Sequence, residues 1–154
     1  MKHTTPLSLR ISAALAATAL LGITLTGCGA IDKLQKSTAD AWAVTYELSV
    51  AGSDDAENAT LTDVSYLDQP SRTEERTTVD AGTVTTAGTN GGRATWSVDS
   101  IVVVGDTAEL TATAAEGQRA TCRILLDGER ELASETGEPG GAVTCSATAP
   151  PFDS

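Results

Sequence analysis

The chain has 154 residues with 10 basic and 21 acidic side chains, a formal net charge of −11, and only 3% aromatic residues. That length suits one modest domain rather than two lobes flanking a cleft. A surface this acidic repels phosphates, which excludes nucleic acid as a partner and adhesion to anionic headgroups by charge alone. The single histidine, His3, lies within the first 27 residues.

Those 27 residues read as an export signal. Lys2 and Arg10 precede an uncharged apolar run, Ile11 to Ile23, and Leu25-Thr26-Gly27-Cys28 follows it. The run is shorter than the roughly 20 residues that a membrane-spanning helix needs. The four-residue ending looks like a bacterial lipobox, where cleavage leaves Cys28 as the first residue and a diacylglycerol thioether, with its palmitate-type chains, is added to it. Cleavage also removes His3 and two basic residues, leaving 8 basic against 21 acidic residues, a net charge of −13. A mature chain without imidazole has no Ser-His-Asp or Cys-His nucleophile system and no His-ligated metal site. The expected location is the extracytoplasmic face of the cell membrane, held by lipid at Cys28.

Residues 28–40 contain few core-forming side chains and read as a tether, reaching about 40 Å if extended. Ile31 and Leu34 are spaced for at most one helical turn. The domain is expected over 41–149, with 150–154 as a tail.

From Ala41 the pattern alternates: Trp42, Val44, Tyr46, Leu48 and Val50 share one face of a strand. A less regular strand follows over 59–67, with Leu61, Val64 and Tyr66. Residues 68–93 are polar, Thr-rich and Gly-rich, and read as a long loop with a weak strand near 77–85, closing at the turn-forming Asn90-Gly91. Strand character returns at 94–104, with Trp96, Val98 and the run Ile101 to Val104. It continues over 107–115, where Ala108, Leu110, Ala112 and Ala114 alternate with polar residues. Cys122, Ile124 and Leu126 share the inner face of a strand over 119–126. Asp127-Gly128 turns it into 129–133, and the last strand, 142–148, turns Val143, Cys145 and Ala147 inward. Seven or eight short strands at this spacing predict an all-β, two-sheet sandwich, with a small barrel as the rival.

With Cys28 taken by lipid, Cys122 and Cys145 are the only thiols left, and an extracytoplasmic setting predicts a disulfide between them. Trp96 precedes both cysteines, unlike the tryptophan between the cysteines of an immunoglobulin domain.

Several acidic groups are candidates for chemistry. Ser53-Asp54-Asp55-Ala56-Glu57-Asn58 lacks the alternation and glycine of a calcium loop and reads as a solvated turn. Glu74-Glu75 point opposite ways if extended, and Glu129 with Glu131 read as surface. Asn58-Ala59-Thr60 fits the N-glycosylation pattern, a three-residue match of low specificity. Trp42, Tyr46, Tyr66 and Trp96 read as core rather than as a ligand pocket. The expectations are therefore no catalytic residues, no cofactor and no metal.

Four segments together resemble the MmpS family, actinobacterial accessory proteins of membrane transporters of the resistance–nodulation–division type. They are Trp42-Ala43-Val44-Thr45-Tyr46-Glu47-Leu48, Val64-Ser65-Tyr66, Trp96-Ser97, and Thr121-Cys122-Arg123-Ile124-Leu125-Leu126-Asp127-Gly128 with Cys145 sixteen residues on. The resemblance spans about 42–147. It implies an immunoglobulin-like β-sandwich, pairing of the two cysteines, and an accessory role beside an MmpL-like exporter of lipids or siderophores. The chain departs from the family at Ala94-Thr95-Trp96, where Leu-Pro-Trp is usual, in a longer connection from Tyr66 to Trp96, and in carrying a lipid anchor where a transmembrane helix is usual. Two functions of different class follow: a non-catalytic interaction module, with a transporter subunit as partner, and a lipid-anchored binding protein for a small apolar or metal-chelate ligand.

Overall fold

A computed structural model of the chain describes residues 39–51, 58–90 and 93–152. The expected signal, Cys28 with its expected lipid, the expected tether up to residue 38, the acidic stretch 53–57 and the glycines 91 and 92 lie outside the described residues. Nine strands are present among those described: β1 (Ala41–Ala51), β2 (Thr60–Asp68), β3 (Thr77–Thr85), β4 (Ala87–Asn90), β5 (Arg93–Val103), β6 (Thr107–Ala114), β7 (Arg119–Leu126), β8 (Arg130–Thr136) and β9 (Ala142–Thr148). They form two sheets, ordered β4-β5-β1-β7-β8 and β3-β2-β6-β9, and every pairing is antiparallel. The expected sandwich is therefore the fold, with the short β4 added to the anticipated strands.

Alternation decides which faces meet. Val44, Tyr46, Leu48 and Val50 of β1 pack against Ala108, Leu110, Ala112 and Ala114 of β6, Ala120, Cys122, Ile124 and Leu126 of β7, and Val143 and Cys145 of β9 in one buried cluster. The intervening threonines of β6 and β9 face outward, so that Thr111 and Thr144 meet hydroxyl to hydroxyl at 3.1 Å. Small alanines on β6 let the sheets approach closely over a core with few aromatics.

β2 looked irregular because Leu61 and Val64, three residues apart, are both fully buried. A β-bulge absorbs the extra residue: the register shifts between Leu61 and Val64, and Asp63 adopts a positive φ of 52°. An odd spacing of inward residues requires such an insertion, since side chains otherwise alternate.

The segment 68–93, expected to be mostly loop, is mostly strand. β3 occupies the stretch where a weak strand was anticipated. At Thr86 the chain changes sheets, so that β3 and β4 belong to different layers. Thr86 is fully buried at this corner; its amide donates to the Ala59 carbonyl at 2.9 Å, and the Ala59 amide donates to its hydroxyl at 3.1 Å. Asn90 pairs with Arg93, which places the β4–β5 reversal where the Asn-Gly pair predicted it.

The turn between β7 and β8 also follows its residues. Asp127 and Gly128 both have positive φ, 53° and 72°, as a type I′ turn requires, and the Glu129 amide closes it on the Leu126 carbonyl at 3.1 Å. The strand resumes at Arg130, paired with Leu126.

Through the first six strands the pairings β1–β5, β4–β5, β2–β6 and β2–β3 are those of strands B to F of a variable-type immunoglobulin domain. β7 then takes the place beside β1 where strand A stands, β8 extends that sheet, and β9 lies beside β6 where strand G stands. The fold is thus immunoglobulin-like in its key, with a different final third.

Candidate functional site

The two cysteines are brought together as expected. Cys122 on β7 and Cys145 on β9 form a disulfide with their Cα atoms 5.9 Å apart, both fully buried. It joins the two sheets on the β7/β9 side of the sandwich. In an immunoglobulin domain the bridge links strands B and F; here it links the strands standing in the places of A and G.

The two tyrosines and two tryptophans divide into two groups. Tyr46, Tyr66 and Trp96 pack between the sheets, with ring centroids 5.5 Å apart for Tyr46–Tyr66 and 6.2 Å for Tyr66–Trp96. Tyr46 is fully buried in the core, and Tyr66 and Trp96 are half-buried against it. Trp42 lies at the end of the sandwich, stacked on Phe152 at 4.1 Å, with the Arg130 guanidinium 5.7 Å from its ring centre. Its indole N–H donates to the Pro150 carbonyl at 2.8 Å. The tail therefore packs on the domain through residue 152. The tether's last residues are held too: the Asp40 carbonyl accepts from the Val104 amide at 2.9 Å, and the Ala39 carbonyl from Arg72 at 3.3 Å.

Tyr46 donates its hydroxyl to the Leu67 carbonyl at 2.7 Å, tying β1 to the end of β2. Burial pushes its pKa from 10.0 up to about 12; the nearby Asp68 charge adds to this, while a backbone hydrogen bond at Glu109 and the Arg76 charge oppose it. Tyr66 is raised as well, by burial and then by Asp68. The folded state holds the Tyr46 proton more tightly than the unfolded chain, so its contribution is complete below pH 10 and is lost as the pH rises toward 12. The loss amounts to roughly 2 kcal/mol by pH 12. A Tyr46→Phe variant is expected to lose about 1 kcal/mol at neutral pH with the Leu67 bond, and then to fall less steeply than the wild type between pH 10 and 12. Urea titrations at pH 8, 10 and 11.5 measure this, and parallel losses in both proteins would count against it.

Of the carboxylates singled out in the sequence, Glu131 is drawn into an ion pair. Glu131 accepts from Arg123 Nε at 2.9 Å, and Arg123 Nη1 reaches Glu47 at 3.2 Å. This ladder crosses β1, β7 and β8, and it occupies both carboxylates with a cation. Asn58 is exposed in a single 3₁₀ turn ahead of β2. Among the described residues no group of three or more His, Cys, Asp or Glu side chains is gathered as a metal site.

Two surface clefts accompany the β2 strand. One, of about 500 Å³, surrounds the bulge and is lined by Thr62, Asp63, Ser65, Asp80, Gly82 and Thr83. The other, of about 380 Å³, is lined by Asp68, Gln69, Pro70, Asp99, Ser100 and Ile101. It lies where the end of β2 passes the part of β5 beyond its pairing with β4, on the side of the sandwich opposite the disulfide. There Ser100 donates to Asp68 Oδ1 at 2.7 Å and receives the Gln69 amide at 3.1 Å, while Thr45 donates to Asp99 Oδ1 at 2.8 Å. Gln69 is 1% exposed. Its Nε2 donates to the Glu74 carbonyl at 3.1 Å, but its Oε1 is buried with no hydrogen-bond partner. The sequence held no local sign of this cleft, because its two sides, Asp68 to Pro70 and Asp99 to Ile101, are about 30 positions apart and are brought together only by the layering of the sheets.

No family model, curated protein or solved structure matches the chain.

Proposed function

We propose that this protein is a lipid-anchored, extracytoplasmic accessory module that acts by binding a protein partner and carries out no reaction itself. The observation that carries this reading is the continuous buried cluster in which the inner faces of β1, β6, β7 and β9 close on one another. Tyr46, Tyr66 and Trp96 pack on one another between the sheets, so a partner is met on the outer faces and edges of the sandwich rather than inside it. The lipobox ending at Cys28 and the tether supply the second support: they hold one small domain within about 40 Å of the membrane, where tethering raises its effective concentration toward the millimolar range and weak contacts suffice. The resemblance to the MmpS family names the class of partner, a transporter of the resistance–nodulation–division type.

In-cell crosslinking followed by mass spectrometry tests the proposal. The expected result is a transporter subunit crosslinked to the sandwich through its exposed edge strands, β3 or β8. A monomer that captures no transporter and co-purifies with a small apolar or chelate molecule would transfer the assignment to a binding protein.

A further inference from the structure

We propose that the half of β5 beyond its pairing with β4 is a docking edge, which takes one extended segment of a protein partner as an added strand with a basic side chain beside Asp99. β3 and β4 are one nearly continuous run that changes sheets at Thr86, and only its last four residues stand beside β5, opposite Arg93 and Thr95. Over 96–103, no described strand flanks β5 on the side away from β1. The register fixes where its backbone groups point. The Val104 amide donates to the Asp40 carbonyl in line with the β1–β5 pairing, so the even-numbered residues of β5 bond β1 and the odd-numbered ones turn their N–H and C=O to the unflanked side. Ser97, Asp99 and Ile101 form that edge.

The apolar side chains on this side of the sandwich are also short of cover. Trp96 and Val98 of β5, Tyr66 of β2, and Ala81 and Val84 of β3 are only partly buried against the core, and an open cleft borders the edge at Asp99, Ser100 and Ile101. Strand addition uses this combination: main-chain bonds hold the incoming segment, and its alternate side chains select it. The side chain opposite Val98 points inward and is apolar; the one opposite Asp99 points out. Charge decides its nature. The charged groups lining the cleft, Asp68 and Asp99, are both acidic, so a basic residue is favoured there. A second copy of this chain is a poor occupant, because antiparallel self-pairing through all three residues sets Asp99 against Asp99 and each copy has a formal charge of −11. This inference rests on the partner-binding reading above and deepens it, naming the surface and the shape of the bound segment.

Two measurements test it. In full-length protein in detergent, the amides of Ser97, Asp99 and Ile101 should exchange hydrogen at least about 100-fold faster than those of Trp96, Val98 and Ser100. Comparable protection overturns the proposal, since the edge is then covered. In the native cells, a photocrosslinking side chain at Ser97 should capture one segment of alternating apolar and polar residues with a Lys or Arg among the polar ones, mapped by mass spectrometry. Ile101→Pro removes an outward N–H and leaves the bonds to β1 in place, so it should lower this capture about tenfold, the loss of one hydrogen bond. Asp99→Lys keeps the backbone edge and reverses its charge, and should lower capture to a similar extent. Capture of a second copy of this chain, or undiminished capture by these two variants, overturns the docking edge. Capture from Ser134 on β8 but not from Ser97 overturns it and leaves the partner-binding reading standing, whereas no capture from either position removes both.

Discussion

A Cys28→Ala variant is expected to leave the membrane. In phase separation with a nonionic detergent, the wild type should enter the detergent-rich phase and the variant the aqueous phase. Labelled palmitate should be incorporated only when Cys28 is present. The expectation rests on Leu25-Thr26-Gly27-Cys28 at the end of the uncharged run and on the energetics of acyl chains. At about 0.8 kcal/mol per buried methylene, one chain binds marginally, while two or more hold stably. Removing the thiol removes all of them at once, and the net charge of the remaining chain opposes residual adsorption to anionic lipid. Equal partitioning of the two proteins would remove the lipid anchor from the proposed function.

The second large effect is expected from the Cys122→Ala/Cys145→Ala double variant. Closing the 23-residue separation between the cysteines restricts the unfolded chain by about 3 kcal/mol on the loop-entropy model. In a domain of this size that corresponds to a drop of roughly 10–20 °C in melting temperature. Both sulfurs are fully buried between the sheets, so the truncation also leaves a space in the core beside Leu110, which pairs with Cys145, and the loss should meet or exceed the entropic figure. Because thiol exchange requires access to a sulfur, the native protein should also resist reductant until it unfolds. A double variant melting within about 2 °C of the wild type would show that the bridge adds little to a sandwich already closed by packing.

The residues varied in how plainly they announced the fold. Alternation in β1 and β6 was legible because one face of each strand is apolar and the other polar, and Asp127-Gly128 was legible because few other pairs tolerate two positive φ angles in succession. β3 and β4 were harder: β3 only half-buries Val79, Ala81 and Val84 and exposes its threonines, so burial contrast is weak and the stretch read as loop. The bulge at Asp63 appeared only as a broken rhythm between Leu61 and Val64. The cleft at Asp68 and Asp99 was invisible for a different reason. Its geometry is made by two layers crossing, and nothing within a few residues of either aspartate encodes the other.

The position of β1 has a kinetic consequence. As the first strand of the domain it lies in the middle of its sheet, between β5 and β7, so that Thr45 waits for Asp99 and Glu47 for Arg123, 54 and 76 residues later. The two strands that pair with the opening strand begin only at Arg93 and Arg119, and such non-local pairing makes folding slow. The cysteines can meet only after β9 has arrived, so the covalent link between the two layers has to wait for the last strand of the domain.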